Sequence, residues 1–282
     1  AREKKKWTQQ ELADRSTVSY QSISGIENGR ENVTIETLGL ISKSLGFDLS
    51  KLLSLAFLRD HCANKSPRVN VAHFRKCVPL PNGLTYDNLE EVFNYTQYLV
   101  TAINYNMLNL GLGSIGKLIQ GNNFSGVVSN LLSVSFDKLT DFKHNSDTDY
   151  PDLINPKKNC GLEIKTTINV GKGGESHNGH SGWHLIACIE VNEDAGTIEF
   201  IHAMFANLNG HKLPNADWKY QGSTVKEKTG SQRTETYITT PEGTTKLRDG
   251  SALLNPEKIK HSLWRITRRP GEPKPSYSPL KK

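Results

Sequence analysis

The chain has 282 residues, 35% of them hydrophobic and 23% charged, with a formal net charge of +6, which suits one large domain plus a small one. No stretch approaches the ~20 apolar residues of a membrane helix, and the charged, amphipathic start is unlike a secretory leader. Cys62, Cys77, Cys160 and Cys188 lack C-x-x-C spacing, which argues against a zinc site or a disulfide frame and for reduced thiols in a cytoplasmic protein.

The chain starts on Ala1 with a short first helical stretch, Arg2 to Lys6, as a processed or truncated terminus would. Trp7 to Arg15 reads as a helix in which Thr8 and Glu11 form a capping box. Ser16 to Val18 is a turn, and Ser19 to Glu27 is a second helix with Ile23 and Ile26 inward, stopped by Asn28-Gly29. Thr34 opens a third helix that ends at Leu45-Gly46, and Asp48 begins a fourth. The runs Thr8-Gln9-Gln10-Glu11-Leu12-Ala13 and Ser22-Ile23-Ser24-Gly25-Ile26-Glu27-Asn28-Gly29 closely resemble the helix-turn-helix of phage-repressor-type (XRE-like) proteins. The resemblance implies that the second helix of the motif lies in the DNA major groove. Ser19, Tyr20, Gln21 and Ser24 would then face base edges, with Gln21 the best reader because an amide bonds adenine bidentately. Gln9 and Asn28 would hold phosphates, with added charge from Arg30. Gly25 departs from the pattern, standing where a longer side chain often reaches the bases. The expected boundaries are a DNA-binding domain over 1–58, a linker over 59–83 and a second domain over 84–282.

In the second domain, Tyr86 to Leu110 is a long helix with Leu89, Val92, Phe93, Thr96, Leu99, Val100 and Ile103 on one face, and a further helix runs from about Phe124 to Leu139. Then comes Tyr150-Pro151-Asp152, ten residues, and Glu163-Ile164-Lys165. The residues from Gly161 to Val170 read as a strand, and Asn155 to Gly161 as a turn, so Asp152 and the Glu-x-Lys sit on two arms of a hairpin. In a strand Glu163 and Lys165 share one face. Two carboxylates suit Mg²⁺, which binds through a few carboxylates, waters and substrate phosphates. Such an ion polarises a phosphate and acidifies a water, and the lysine orients or activates that water. The bland alternative is a solvated hairpin with a surface salt bridge. The hairpin resembles the PD-(D/E)xK nuclease superfamily, which implies Asp152, Glu163 and Lys165 as catalytic residues and the two carboxylates as metal ligands.

After the hairpin, Trp183 to Val191 and Thr197 to Phe205 read as an antiparallel pair of sheet strands around an Asp194-Ala195-Gly196 turn. His177, His180 and His184 are spaced like a loop metal cluster, but their Gly/Ser/Asn-rich setting favours exposed or phosphate-contacting histidines. Gln232, Arg233, Thr234, Glu235 and Thr236 are candidate base readers on a ribbon, flanked by Lys226, Lys228, Lys246 and Arg248 as phosphate contacts. Residues 241–282 carry ten basic against four acidic side chains, so this Pro-rich tail either tracks a phosphate backbone or stays solvated.

The expected fold is thus α+β or α/β: an all-α helix-turn-helix bundle joined to a restriction-endonuclease-like mixed β-sheet core flanked by helices. Together the two resemblances imply a Mg²⁺-dependent type II restriction enzyme acting on double-stranded DNA as a homodimer, with no membrane and no small-molecule cofactor. A transcriptional regulator with a non-catalytic second domain is the alternative.

Overall fold

In the computed structural model, which describes residues 2–49, 60–146, 150–169, 175–176, 179–222, 236–259 and 271–280, every long helix of the amino-terminal region starts on a side-chain cap. Helix α1 (Gln9–Ser16) begins with the expected capping box: the Glu11 N–H donates to Thr8 Oγ1 at 3.1 Å, and the Thr8 N–H donates to Glu11 Oε2 at 2.6 Å. Helix α2 (Tyr20–Glu27) is capped by Ser19, and α3 (Ile35–Leu45) by Thr34. Gly46, at φ +73°, closes α3 in the left-handed region where a side chain would be strained. Leu12, Ala13, Ile23 and Ile41 form the core, with Trp7, Val18, Ile26 and Leu45 packed around it. The Arg2 guanidinium holds Glu27 through two bonds of 2.7 and 2.9 Å, pinning the segment before α1 to the end of α2. Residues 50–53 of the expected fourth helix lie outside the described residues.

The chain divides into two compact units, residues 1–64 and 65–282. The stretch expected to be a linker, 59–83, is therefore corrected: Val69 and Val78 are buried in the second unit's core, and the Arg75 N–H donates to Ala252 O at 2.8 Å.

After that segment the second unit continues with α4 (Tyr86–Asn109), the short α5 (Ile115–Leu118) and α6 (Gly121–Leu139). Its strands are β1 (Lys143–His144), β2 (Leu153–Asn155), β3 (Cys160–Thr167), β4 (Glu175–Ser176), β5 (Gly182–Asn192), β6 (Thr197–Leu208), β7 (Trp218–Gly222), β8 (Thr236–Thr239) and β9 (Ser251–Leu254), with α7 (Pro241–Asp249) between the last two. A six-stranded sheet runs β1-β2-β3-β5-β6-β9, and a three-stranded one β4-β8-β7. In the larger sheet β3 and β5 pair in parallel, and the other neighbours are antiparallel. The region is a mixed sheet with helices.

Alternation on β5 and β6 explains the two cores. Leu185, Ala187, Ala203 and Phe205 join Leu162, Ile164 and the inward side chains of α4 and α6 on one face. Ile186, Cys188, Met204 and Ala206 point to the other, against Trp218 and Leu247 of α7. Burial on both faces is why β5 reads as an almost unbroken apolar run. Phe93 stacks on Phe200 at 4.5 Å between ring centroids. Each such ring contributes about 1.5–3 kcal/mol by leaving water.

The inner face of α4 is more polar than its apolar stripe suggests. Leu99 and Ile103 are half-buried, whereas Gln97, Thr101 and Asn104 are buried. Gln97 donates to Pro67 O at 2.7 Å and accepts from the Phe200 N–H at 2.8 Å, tying the preceding segment to β6. Asn104 does the same for Gly196 O at 2.7 Å and the Ile115 N–H at 2.8 Å. Satisfied amides of this kind can be buried at modest cost.

Candidate active site and DNA-facing residues

The β2–β3 hairpin brings the three sequence-selected residues together. Leu153 pairs with Leu162, so one step along the ladder sets Asp152 opposite Glu163. Gly161 makes this possible, since a Cβ there would stand 2.5 Å from Pro151 Cγ, and Pro151 carries the chain into Asp152. The Asp152 N–H donates to Glu163 Oε2 at 3.3 Å, and Asp152 Oδ2 accepts from the Ile164 N–H at 2.7 Å. Lys165 Nζ lies 2.6 Å from Glu163 Oε1. Glu163 is only 7% exposed, whereas the Lys165 side chain is 42% exposed. The pair therefore differs from a solvated surface bridge: a buried carboxylate is neutralised by a lysine that reaches in from the surface.

Burial, and then the negative charge of Glu163, raise the Asp152 pKa above the usual carboxylate value; the Ile164 N–H and Lys165 oppose the rise. The two carboxyls compete for one region, and a divalent cation would relieve that repulsion. Among the described residues no group of three or more His, Cys, Asp or Glu side chains is placed to hold a metal. A two-carboxylate donor set still fits Mg²⁺, which takes its remaining oxygens from waters and phosphates, but does not fit zinc.

Around the pair stands an aromatic and imidazole wall. Tyr150 packs on His180 at 4.1 Å between ring centroids and donates its hydroxyl to Ser181 O at 2.6 Å. Burial and the charges of Glu163 and Asp152 raise the Tyr150 pKa, so the phenol stays neutral. Trp218 Nε1 donates to His180 O at 2.9 Å, and Gly210 N donates to Ser181 Oγ at 2.7 Å. The segment 179–182 is thereby fixed beside the carboxylates. His184 is no loop histidine: it lies in β5, is 2% exposed, and pairs in register with Glu163. His177 lies outside the described residues.

On the amino-terminal unit, Tyr20 and Gln21 are exposed at the start of α2, and Arg30 is exposed beyond its end. Ser19 is occupied as the α2 cap, accepting from the Ser22 N–H at 3.1 Å. Ser24 is half-buried, and Asn28 is exposed and folds back onto Ser24 O at 2.7 Å. Gln9 is half-buried and donates to Glu27 Oε2 at 2.7 Å, so it must change partner to reach a phosphate. Gly25 is covered by Glu31, whose Oε2 would stand 2.8 Å from a Cβ at that position. Gln21→Ala is expected to weaken specific duplex binding by about 1–3 kcal/mol with little change in non-specific binding, measurable by fluorescence anisotropy on selected and scrambled duplexes.

Other expectations need correction. Thr236 is 5% exposed on β8, the middle strand of the small sheet, and cannot read bases. Gln232, Arg233, Thr234 and Glu235 lie outside the described residues, as do Lys226 and Lys228. Lys246 Nζ is held 2.6 Å from Asp217 Oδ2, and Arg248 is buried 3.0 Å from Glu272, so both are structural rather than phosphate-facing. Residues 271–280 of the tail are anchored, with Ser278 Oγ bonded to Asp249 Oδ2 at 2.5 Å.

Among the described residues no helix is long and apolar enough to cross a membrane. No curated protein and no solved structure matches the chain. Residues 1–52 match the family described as Helix-turn-helix, and with its capped α1–α2 pair the amino-terminal unit is a helix-turn-helix DNA-binding domain.

Proposed function

We propose that the chain is a Mg²⁺-dependent, sequence-specific endonuclease of double-stranded DNA, of the type II restriction kind and of the PD-(D/E)xK class. The observation that carries the reading is the facing Asp152–Glu163 pair with Lys165 at 2.6 Å from the buried glutamate. The helix-turn-helix supplies an independent reason to expect DNA as the substrate.

Asp152 and Glu163 would hold the cation. Bound there, Mg²⁺ would supply charge stabilisation at the phosphate and an acidified water. The exposed end of Lys165 would orient that water toward the phosphorus and offset the charge that develops on the phosphate oxygens. Tyr150 and the fixed 179–182 segment would bound one side of the pair. A palindromic site cut on both strands calls for two such centres, hence a homodimer acting in the cytoplasm, where the DNA lies.

Plasmid DNA incubated with the protein and Mg²⁺ tests the proposal. Discrete fragments that vanish with chelator are expected. Tight, sequence-specific binding with no cutting of any plasmid or genomic DNA would instead make the chain a regulator with a non-catalytic second domain.

A further inference from the structure

His184 is the most anomalous polar group near the carboxylates. Its Nδ1 lies 2.9 Å from Gly182 O. A carbonyl only accepts, so Nδ1 carries the hydrogen and the neutral ring presents a bare lone pair at Nε2. That Nε2 is buried and has no hydrogen-bond partner among the described residues. Leaving such an acceptor unmet costs about 1–3 kcal/mol, which a fold would readily remove by placing an apolar side chain there. On β5 and β6 the neighbouring side chains of this face, Ile186, Met204 and Ala206, are apolar.

The register shows what can meet it. In the parallel β3–β5 pair Glu163 stands beside His184, and Lys165, two residues on, shares their face. Lys165 Nζ is committed to Glu163 Oε1 at 2.6 Å. If Glu163 turns to a divalent cation, the ammonium loses its acceptor and is repelled by a like charge. Two positions back on the same face of the sheet, the lone pair of His184 Nε2 is then the acceptor the register offers it.

We propose that His184 is a positioning residue for Lys165: its Nε2 accepts the lysine ammonium once Glu163 is taken up by a divalent cation. This rests on the reading of Asp152 and Glu163 as a cation site. The neutral imidazole keeps the lysine charged and held beside the phosphate, where a second carboxylate would compete for the cation. Burial lowers the His184 pKa to about 4, so the ring remains an acceptor at neutral pH.

The test needs no variant for its first reading. In a long-range ¹H–¹⁵N spectrum of the whole protein, the Nε2 resonance of His184 is expected to move upfield when Mg²⁺ is added, and to stay in place in Lys165→Met. His184→Leu, whose melting temperature is expected to be no lower than that of the wild type, is expected to lower the DNA-cutting turnover about 10- to 100-fold at similar Mg²⁺ affinity, the usual size of a supporting-shell effect. His184→Gln, whose amide carbonyl can accept in place of Nε2, recovers most of it. An unmoved Nε2 resonance in protein that binds Mg²⁺ by calorimetry, or His184→Leu cutting at the wild-type rate, overturns the positioning role alone. Absence of any Mg²⁺ binding overturns the carboxylate reading together with it.

Discussion

Asp152→Asn is expected to lower Mg²⁺-dependent DNA cutting by a factor on the order of 10³ or more, while the helix-turn-helix still binds duplex. The asparagine keeps an oxygen for the Ile164 N–H, now 2.7 Å from Asp152 Oδ2, so the hairpin stays closed. What is lost is one of two anionic ligands. Several kcal/mol of charge stabilisation go with it, and each ~1.4 kcal/mol is about tenfold in rate. The same change is expected to raise the melting temperature at neutral pH. Burial and Glu163 raise the Asp152 pKa on folding, so the folded state binds that proton more tightly. The stabilisation this gives is full below the ordinary carboxylate pKa and is lost as pH rises through the raised value. At neutral pH the charged form is therefore a burden that asparagine removes. Cleavage gels and calorimetric melts at pH 7 measure both effects. Full activity in Asp152→Asn would remove this residue from the mechanism.

Lys246→Met is expected to destabilise the second unit by about 3–5 kcal/mol, because it leaves a buried carboxylate without its cation. Asp217 is 0% exposed, and its Oδ2 accepts from Lys246 Nζ at 2.6 Å and from the Asn209 N–H at 2.7 Å, while Oδ1 has no partner among the described residues. The methionine preserves the apolar stem that Lys246 lays along α7. For a unit of this size the melting temperature should fall by roughly 10 °C. The double change Lys246→Met with Asp217→Asn should recover much of that loss, since no uncompensated charge remains. A melting temperature unmoved by Lys246→Met would show that the pair contributes little.

Local features were legible in the sequence. Thr8 with Glu11, and Asn28-Gly29 at the end of α2, carry their structural meaning within a few residues. Asp152 and Glu163 belong to one hairpin whose short turn sets the register, so ten intervening positions suffice to bring them opposite each other. Lys165 follows from the strand period alone. Distant partners were not legible. His184 meets Glu163 through a parallel pairing, and parallel register leaves no mark in the spacing of residues. Its place among glycines, serines and asparagines suggested a loop, yet the strand begins at Gly182. Lys246 looked like a free surface cation because its partner Asp217 is far away in the chain. Thr236 alternates with polar neighbours as an exposed strand would, but β4 and β7 flank β8 on both sides. The anchored part of the tail depends on Ser278 meeting Asp249, again a long-range match.

The carboxylate pair as a cation site is tested most directly by calorimetric titration of Ca²⁺, a divalent cation that also takes carboxylate oxygens, into the protein bound to duplex DNA. Uptake of an ion by each chain is expected for the wild type and its loss in Glu163→Gln, with duplex affinity retained. Identical isotherms for the two proteins, or no uptake by the wild type, would contradict the assignment of Asp152 and Glu163 as metal ligands.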